Sequence, residues 1–426
     1  MVMEQERLIF HIDVNSAFLS WESVYRLKQN PSALDLRTIP SAVGGDASKR
    51  HGIVLAKSAP AKKYGIVTAE PLAQALKKCP HLVIVPSRFE LYIENSNNLI
   101  KLLEEYTPDI EKFSIDEAFL DMTSTIHLFG SPRETADHIR ERIEKELGFT
   151  VNIGIAPNKL LAKMASDFQK PNKTHTLYLH EIKEKLWPLP IRDLFFVGGA
   201  AQKKLHSIGI RTIGQLAAAD LSILKLHLGE KYAILIHQYA NGIDDSPVEE
   251  RTPVNKGYGN SITLSHDVSD YNTACQVLLS LAETVGARLR ADHVLCSSVC
   301  VELKDWQFQV QSHQTGLSSP TDSTSVIYQE ACRLLKEAWS GIPLRLLGLR
   351  AGKIDDSSFT QISLFDTEKT RKQQNLEKAV DFIRNKYGTD IIKRASFLQQ
   401  NAPVDHAAGK HKHLWKNGDQ EEWRNQ

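Results

Sequence analysis

Three acids stand where acids are costly to place. Asp13 closes the apolar run Leu8-Ile9-Phe10-His11-Ile12-Asp13. Much further along, Asp116 and Glu117 lie inside Lys112-Phe113-Ser114-Ile115-Asp116-Glu117-Ala118-Phe119-Leu120-Asp121. An ionised carboxylate taken out of water costs several kcal/mol unless something compensates it, and a bound divalent cation is one such compensation. Two Mg²⁺ ions held roughly 4 Å apart by carboxylate oxygens activate a hydroxyl nucleophile and neutralise a leaving phosphate in an in-line displacement. That chemistry is phosphoryl or nucleotidyl transfer. Taken singly, each segment also has a plainer reading: Asp13 as a strand end, and Ser114 to Glu117 as a hairpin turn. Neighbours on a regular strand point to opposite faces, so Asp116 and Glu117 reach one metal pair only if the chain twists or turns there.

The elements that hold these acids follow from hydropathy. Residues 1 to about 18 and 85 to 177 read as one αβ unit. Val83-Ile84-Val85 and Phe149 to Ile155 are its buried strands, and Ser131 to Leu147 has helical spacing with acids early. The piece that interrupts it, 19 to 84, holds a strand at Gly52 to Ala56 and then Ala61 to Tyr64 before a Gly65 stop. From 178 to 242 short helices alternate with glycines, and 243 to 256 is a polar linker. A second αβ module spans 257 to 352, with helices at 271 to 291 and 324 to 339 and strands near 295 to 303, 306 to 313 and 343 to 351. After 353 the chain is polar, and after 401 its composition is that of a disordered tail. The fold class is α+β and multidomain.

Composition sets the outer limits. A chain of 426 residues that is 42% hydrophobic and 24% charged has the make-up of a soluble globular protein with several cores. No apolar run approaches the roughly 20 residues of a membrane-spanning helix, so a cytoplasmic protein without a membrane partner is expected. Five scattered cysteines read as reduced thiols. Lys plus Arg number 52 against 51 Asp plus Glu, so any nucleic-acid footprint must be local. Candidate clusters are Lys49, Arg50, His51, Lys57, Lys62 and Lys63; Lys159, Lys163, Lys170 and Lys173; and the stretch from Lys369 to Arg394. Binding that rests on so little charge implies low processivity.

Ile12-Asp13-Val14-Asn15-Ser16-Ala17-Phe18 and Ser114-Ile115-Asp116-Glu117-Ala118 resemble the two metal-ligand segments of Y-family, or translesion, DNA polymerases. The resemblance runs in order to about residue 400. It implies a right-hand polymerase with palm (1 to 18 and 85 to 177), fingers (19 to 84), helix-hairpin-helix thumb (178 to 242) and C-terminal αβ little finger (257 to 352). By the same resemblance Asp13, Asp116, Glu117 and the Val14 carbonyl bind two Mg²⁺. Phe18 is the steric gate against ribonucleotides, and Lys159 neutralises the triphosphate of the incoming dNTP. Fingers residues Ala59 and Lys62 stand where a DinB-like enzyme has tyrosine and arginine, which points to the UmuC-like branch. Lysine keeps the charge there but not the bidentate fork.

Phe196-Val197-Gly198-Gly199 with Ile208-Gly209-Ile210 resembles the glycine hairpin whose amides, at Gly198, Gly199 or Gly209, face a DNA phosphate. The plainer reading is an αα-turn whose glycines cap helices. Gln361-Ile362-Ser363-Leu364-Phe365 resembles the peptide by which bacterial polymerases dock on the sliding clamp, with Gln361, Leu364 and Phe365 as anchors. The alternative is an edge strand on the little finger. The implied partners are primer-template DNA, dNTP and the clamp, with accessory proteins of the SOS response to DNA damage, or a recombinase filament, in the UmuC-like branch. Two other functions compete with a polymerase for DNA repair: a non-catalytic repair scaffold of the same fold, and a palm-fold nucleotidyl cyclase.

Overall fold

A computed structural model describes residues 6–45, 52–249, 255–356, 368–389 and 391–397. They form two compact units that part between 249 and 255.

The first unit is built on the acid-bearing strands. β1 (Ile9–Val14) leads into α1 (Ala17–Gln29). There follow β2 (Ser41–Gly44), β3 (Val54–Lys57), α2 (Ala59–Lys63), α3 (Leu72–Lys78) and β4 (Val83–Pro86). β2, β3 and β4 make a small sheet of order β3-β2-β4. β4, expected in the large unit, instead pairs in parallel with β2. The chain continues through α4 (Phe89–Leu103), β5 (Ile110–Lys112), β6 (Glu117–Asp121), α5 (Pro132–Arg142), β7 (Val151–Ala156), α6 (Lys159–Ser166) and β8 (Thr174–Thr176). The main sheet has the order β5-β6-β1-β7-β8.

Alternation decides what each face of this sheet does. Phe10, Ile12, Val14, Leu120, Ile153 and Ile155 join one buried core with Trp21, Tyr92 and Phe149. On the other face Ile9 and Phe119 pack with Leu160, Leu161 and Met164 of α6. α5 starts on a capping box in which Ser131 and Glu134 satisfy each other's backbone amides, a strong local signal for a helix start.

Beyond 178 come α7 (Gly199–Ser207), α8 (Ile213–Ala217), α9 (Leu221–Leu228) and α10 (Glu230–Ala240), all short, which share the core of α6.

In the second unit β9 (Gly257–Val268), α11 (Tyr271–Ala291), β10 (Val294–Asp305), β11 (Val310–Thr321), α12 (Thr324–Ala338) and β12 (Leu344–Asp356) form a sheet of order β11-β10-β12-β9 backed by two helices. β9 is a strand the hydropathy pattern did not suggest, and β11 begins four residues later than expected. Trp306 and Phe308, read as strand residues, sit in the preceding turn, where Phe308 has a φ of 67°.

The segment after 356 also holds more structure than its polarity suggests. α13 (Glu368–Tyr387) lies against α11 and α12 through charge rather than apolar burial. Asp381 accepts from Arg290 at 2.6 Å, and the buried Glu377 accepts from the backbone N–H of Thr324 and Ser325, capping α12. No helix among the described residues is long and apolar enough to cross a membrane.

Candidate active site

Asp13 and Glu117 are direct cross-strand partners in the antiparallel pair of β1 and β6. Opposed residues in such a pair send their side chains to the same side, so both carboxylates share the face covered by α6. Asp116 precedes the strand in a bend, where its carbonyl accepts from Val14 N–H at 3.0 Å and its carboxylate accepts from Ser114 Oγ at 2.7 Å. The turn required between the two neighbouring acids is therefore present. Asp13 and Glu117 face each other at the end of the strand pair, and Asp116 stands in the bend just before, its carboxylate turned to Ser114. Among the described residues no three His, Cys, Asp or Glu side chains converge as a metal-binding group.

Lysines occupy the space beside the acids. Lys170 Nζ lies 2.9 Å from Asp13 and 2.9 Å from Asp167, and Lys163 Nζ lies 2.8 Å from Glu117. Asp13 is 9% exposed, and burial raises its carboxyl to about 7 against the pull of Lys170. For Glu117 burial is outweighed by His11 and Lys163, which hold it at about 2. The donors are hard oxygens of the kind Mg²⁺ prefers, so the residues suit that ion.

His11 was not singled out by its sequence, yet it is fully buried at the centre of this face. Its Nδ1 lies 2.8 Å from Ser166 Oγ, and that hydroxyl is also 2.8 Å from the Lys163 carbonyl oxygen. Nε2 faces Glu117 at 3.7 Å. The close packing depends on Gly154, opposite His11 in the ladder. A Cβ there would stand 1.9 Å from the Ala162 carbonyl oxygen, so only glycine lets α6 come near enough to bring Ser166 and Lys163 to the acids.

Other expected site residues are placed as follows. Phe18, on α1, stacks on Tyr92 at 4.5 Å between ring centroids and 11° between planes, half-buried beside Trp21 and Phe89. Lys62 is exposed at the end of α2. The structure does not bring Lys159 to the carboxylates: it is 7% exposed, with Nζ 2.5 Å from Glu111 Oε2 and 3.3 Å from the Pro247 carbonyl oxygen. Lys163 and Lys170, grouped by sequence as part of a candidate nucleic-acid footprint, are the lysines at the acids.

Gly198 is the N-cap of α7 and Gly199 its first residue, and a Cβ on either would meet nothing within 4 Å. Gly209, with φ of +84°, is the one of the three whose backbone favours glycine. Gln361, Leu364 and Phe365 lie outside the described residues.

A mixed fold whose sheet carries paired acids, followed by short helices and a second αβ unit, defines a class that comparison makes specific. Residues 12–167 match the impB/mucB/samB family, 192–244 the DNA polymerase-iota thumb domain, and 255–364 the impB/mucB/samB family C-terminal domain. A solved Y-family DNA polymerase chimera shares the fold with a TM-score of 0.70, over 82% of this chain and 99% of that one, at 23% identity. The DNA polymerase IV of Clostridium acetobutylicum is 45% identical over 394 residues, 92% of this chain and 99% of its own. DNA polymerase IV 1 of Bacillus subtilis is 37% identical over 93% of this chain and 94% of its own. The chain belongs to the impB/mucB/samB family, the Y-family DNA polymerases.

Proposed function

We propose that this protein is a template-directed DNA polymerase for translesion synthesis, joining a dNTP to a primer 3′-hydroxyl by two-metal nucleotidyl transfer. The observation that carries the reading is the in-register pairing of Asp13 with Glu117, flanked by Lys170 and Lys163, in a chain similar over nearly its whole length to named DNA polymerases. Asp13, Asp116, Glu117 and the Val14 carbonyl are the oxygens that would hold two Mg²⁺, whose charge acidifies the primer hydroxyl and stabilises departing pyrophosphate when they are bound.

The chain's own side chains supply the rest. Lys170, in place of Lys159, turns from Asp13 to the triphosphate, because its ammonium is already at the acids and half shared with Asp167. Lys62 adds charge from the fingers. Phe18, fixed against Tyr92, presents a flat ring to the sugar and leaves no room for a 2′-hydroxyl. The amides near Gly198, Gly199 and Gly209 hold a DNA phosphate without reading sequence. Gln361, Leu364 and Phe365 dock on a sliding clamp, and the enzyme works in the cytoplasm on primer-template DNA. On the branch, the names of the relatives favour the DinB-like side over the UmuC-like one that Ala59 and Lys62 suggest.

Primer extension on a templated duplex with Mg²⁺ and all four dNTPs tests the proposal. Template-dependent growth of the primer is expected. Duplex binding without growth would identify a repair scaffold instead, and triphosphate turnover without template would identify a cyclase.

A further inference from the structure

Lys170 stands on residues 167–173, the loop between α6 and β8, and two buried side-chain amides bracket it. Asn152, on β7, is fully buried, and Asn15, just past β1, is nearly so. Asn152 Nδ2 donates to the Ser166 carbonyl at 3.0 Å and to the Gln169 carbonyl at 2.7 Å, while its Oδ1 accepts from the Lys173 N–H at 3.2 Å. Asn15 Oδ1 accepts from the Asn172 N–H at 2.9 Å, and Asn15 Nδ2 donates to Asn152 Oδ1 at 3.1 Å, which joins the two amides. Backbone carbonyls only accept and backbone N–H groups only donate, so these partners fix which way round each amide lies.

The bonds fall on both sides of Lys170, at Ser166 and Gln169 before it and at Asn172 and Lys173 after it. Gln169, Lys170, Pro171 and Lys173 are themselves exposed, so burial of their side chains does not hold them in place. Asn152 is also the cross-strand partner of Asp13 in the β1–β7 ladder. The strand pair that places this acid therefore also places the lysine whose ammonium lies 2.9 Å from it.

We propose that Asn152, joined by Asn15, is a positioning residue for the incoming nucleotide, holding the loop so that the Lys170 ammonium stands where the triphosphate arrives. The inference rests on the polymerase reading above, in which Lys170 meets the triphosphate. Both amides act through Lys170 rather than on the nucleotide. An ammonium fixed before binding needs little further ordering when the triphosphate arrives, whereas one on a loosened loop must be ordered at that moment. The cation itself remains, so a saturating triphosphate still draws the loop into place. Loss of the amides therefore weakens dNTP binding and leaves the rate at saturation little changed.

The test measures single-turnover insertion on a primer-template with Mg²⁺ for wild type, Asn152→Ala, Lys170→Ala and the double variant. Hydrogen exchange of the peptide spanning 167–175 is followed by mass spectrometry on the same proteins, with a β6 peptide as the internal standard. Asn152→Ala should raise the half-saturating dNTP concentration by about tenfold, keep the maximal rate within about threefold, and speed exchange in the loop peptide but not in β6. In the Lys170→Ala background the same substitution should change that concentration by less than about twofold, because a residue that acts through Lys170 has nothing left to position. If Asn152→Ala does not fold, Asn15→Ala, which removes the tie to Asn172, is read by the same criteria. Where the wild type inserts nucleotide, a tenfold effect that persists without Lys170, a loss confined to the maximal rate, or unaltered exchange of the loop would overturn the proposal and leave the polymerase reading standing. A wild type that inserts no nucleotide would overturn both.

Discussion

The ammonium of Lys170 sits at 2.9 Å from each of two acids, whereas that of Lys159 is buried against one. These surroundings assign them different work, and substitution separates the two. Lys170→Ala is predicted to slow nucleotide insertion and weaken dNTP binding by about tenfold to a hundredfold, because a charge near the phosphates contributes some 1.4 kcal/mol per tenfold. Lys159→Ala is predicted to lower stability by about 2 kcal/mol through the lost charge-assisted bond to Glu111, with insertion by the folded fraction unchanged. Thermal unfolding beside single-nucleotide kinetics reads both, and the reverse pattern would return the triphosphate role to Lys159. Phe18 is argued in the same way. Its ring is held flat by Tyr92, so Phe18→Ala should raise ribonucleotide relative to deoxynucleotide incorporation by about tenfold or more, and cost about 1 kcal/mol for the lost stacking. An unchanged sugar preference would leave Phe18 as a core residue only.

Between elements, small contacts fix where the site stands. Asp35, in the loop after α1, accepts from Ser23 Oγ at 2.6 Å and from the Arg37 guanidinium, which in turn donates to the Gly148 carbonyl just before β7. The Arg37 guanidinium, with help from Ser23, outweighs the cost of burial and lowers the Asp35 carboxyl from its ordinary 3.8 to about 2. The folded chain therefore binds this proton less readily than the unfolded one. The stability it contributes is present above about pH 4 and is lost as the pH falls from there through 2. Asp35→Asn should be less stable than wild type by about 1 kcal/mol at pH 7, and the gap measured by urea unfolding should close on acidification. A gap that does not change with pH would contradict this account.

The same scale shows what the sequence could and could not disclose. The acid-bearing strands are legible because a strand's apolar alternation and its acids lie within a few residues. Lys159 and Lys163 are one helical turn apart, and nothing local tells which meets Glu111 on β5 and which meets Glu117 on β6. That depends on strand pairing, and on the Gly154 contact that sets the height of α6. α13 escaped notice because it is anchored by Arg290 with Glu377 and Asp381, ion pairs that leave no apolar stripe to read.

For the whole molecule, a net charge of +1 is small for a protein that must hold a polyanion. Counterion release then gives a weak, salt-sensitive grip, and a tether to a ring around the duplex raises local template concentration without new contacts. Replacing both Leu364 and Phe365 by Ala should leave unassisted extension unchanged and remove its stimulation by clamp. Full stimulation of the double variant would show that the segment has another use.

Beneath all of this lies the claim that the carboxylates at the end of β1 and β6 carry out nucleotidyl transfer. Asp116 tests it most cleanly, since its backbone carbonyl, not its side chain, holds Val14, and its carboxylate takes only a hydroxyl from Ser114. Asp116→Ala should keep the wild-type melting temperature and duplex affinity. Its single-turnover dNTP insertion with Mg²⁺ should fall by about a thousandfold or more, as expected when several kcal/mol of charge stabilisation are lost. Insertion by the folded variant within tenfold of wild type would contradict the assignment.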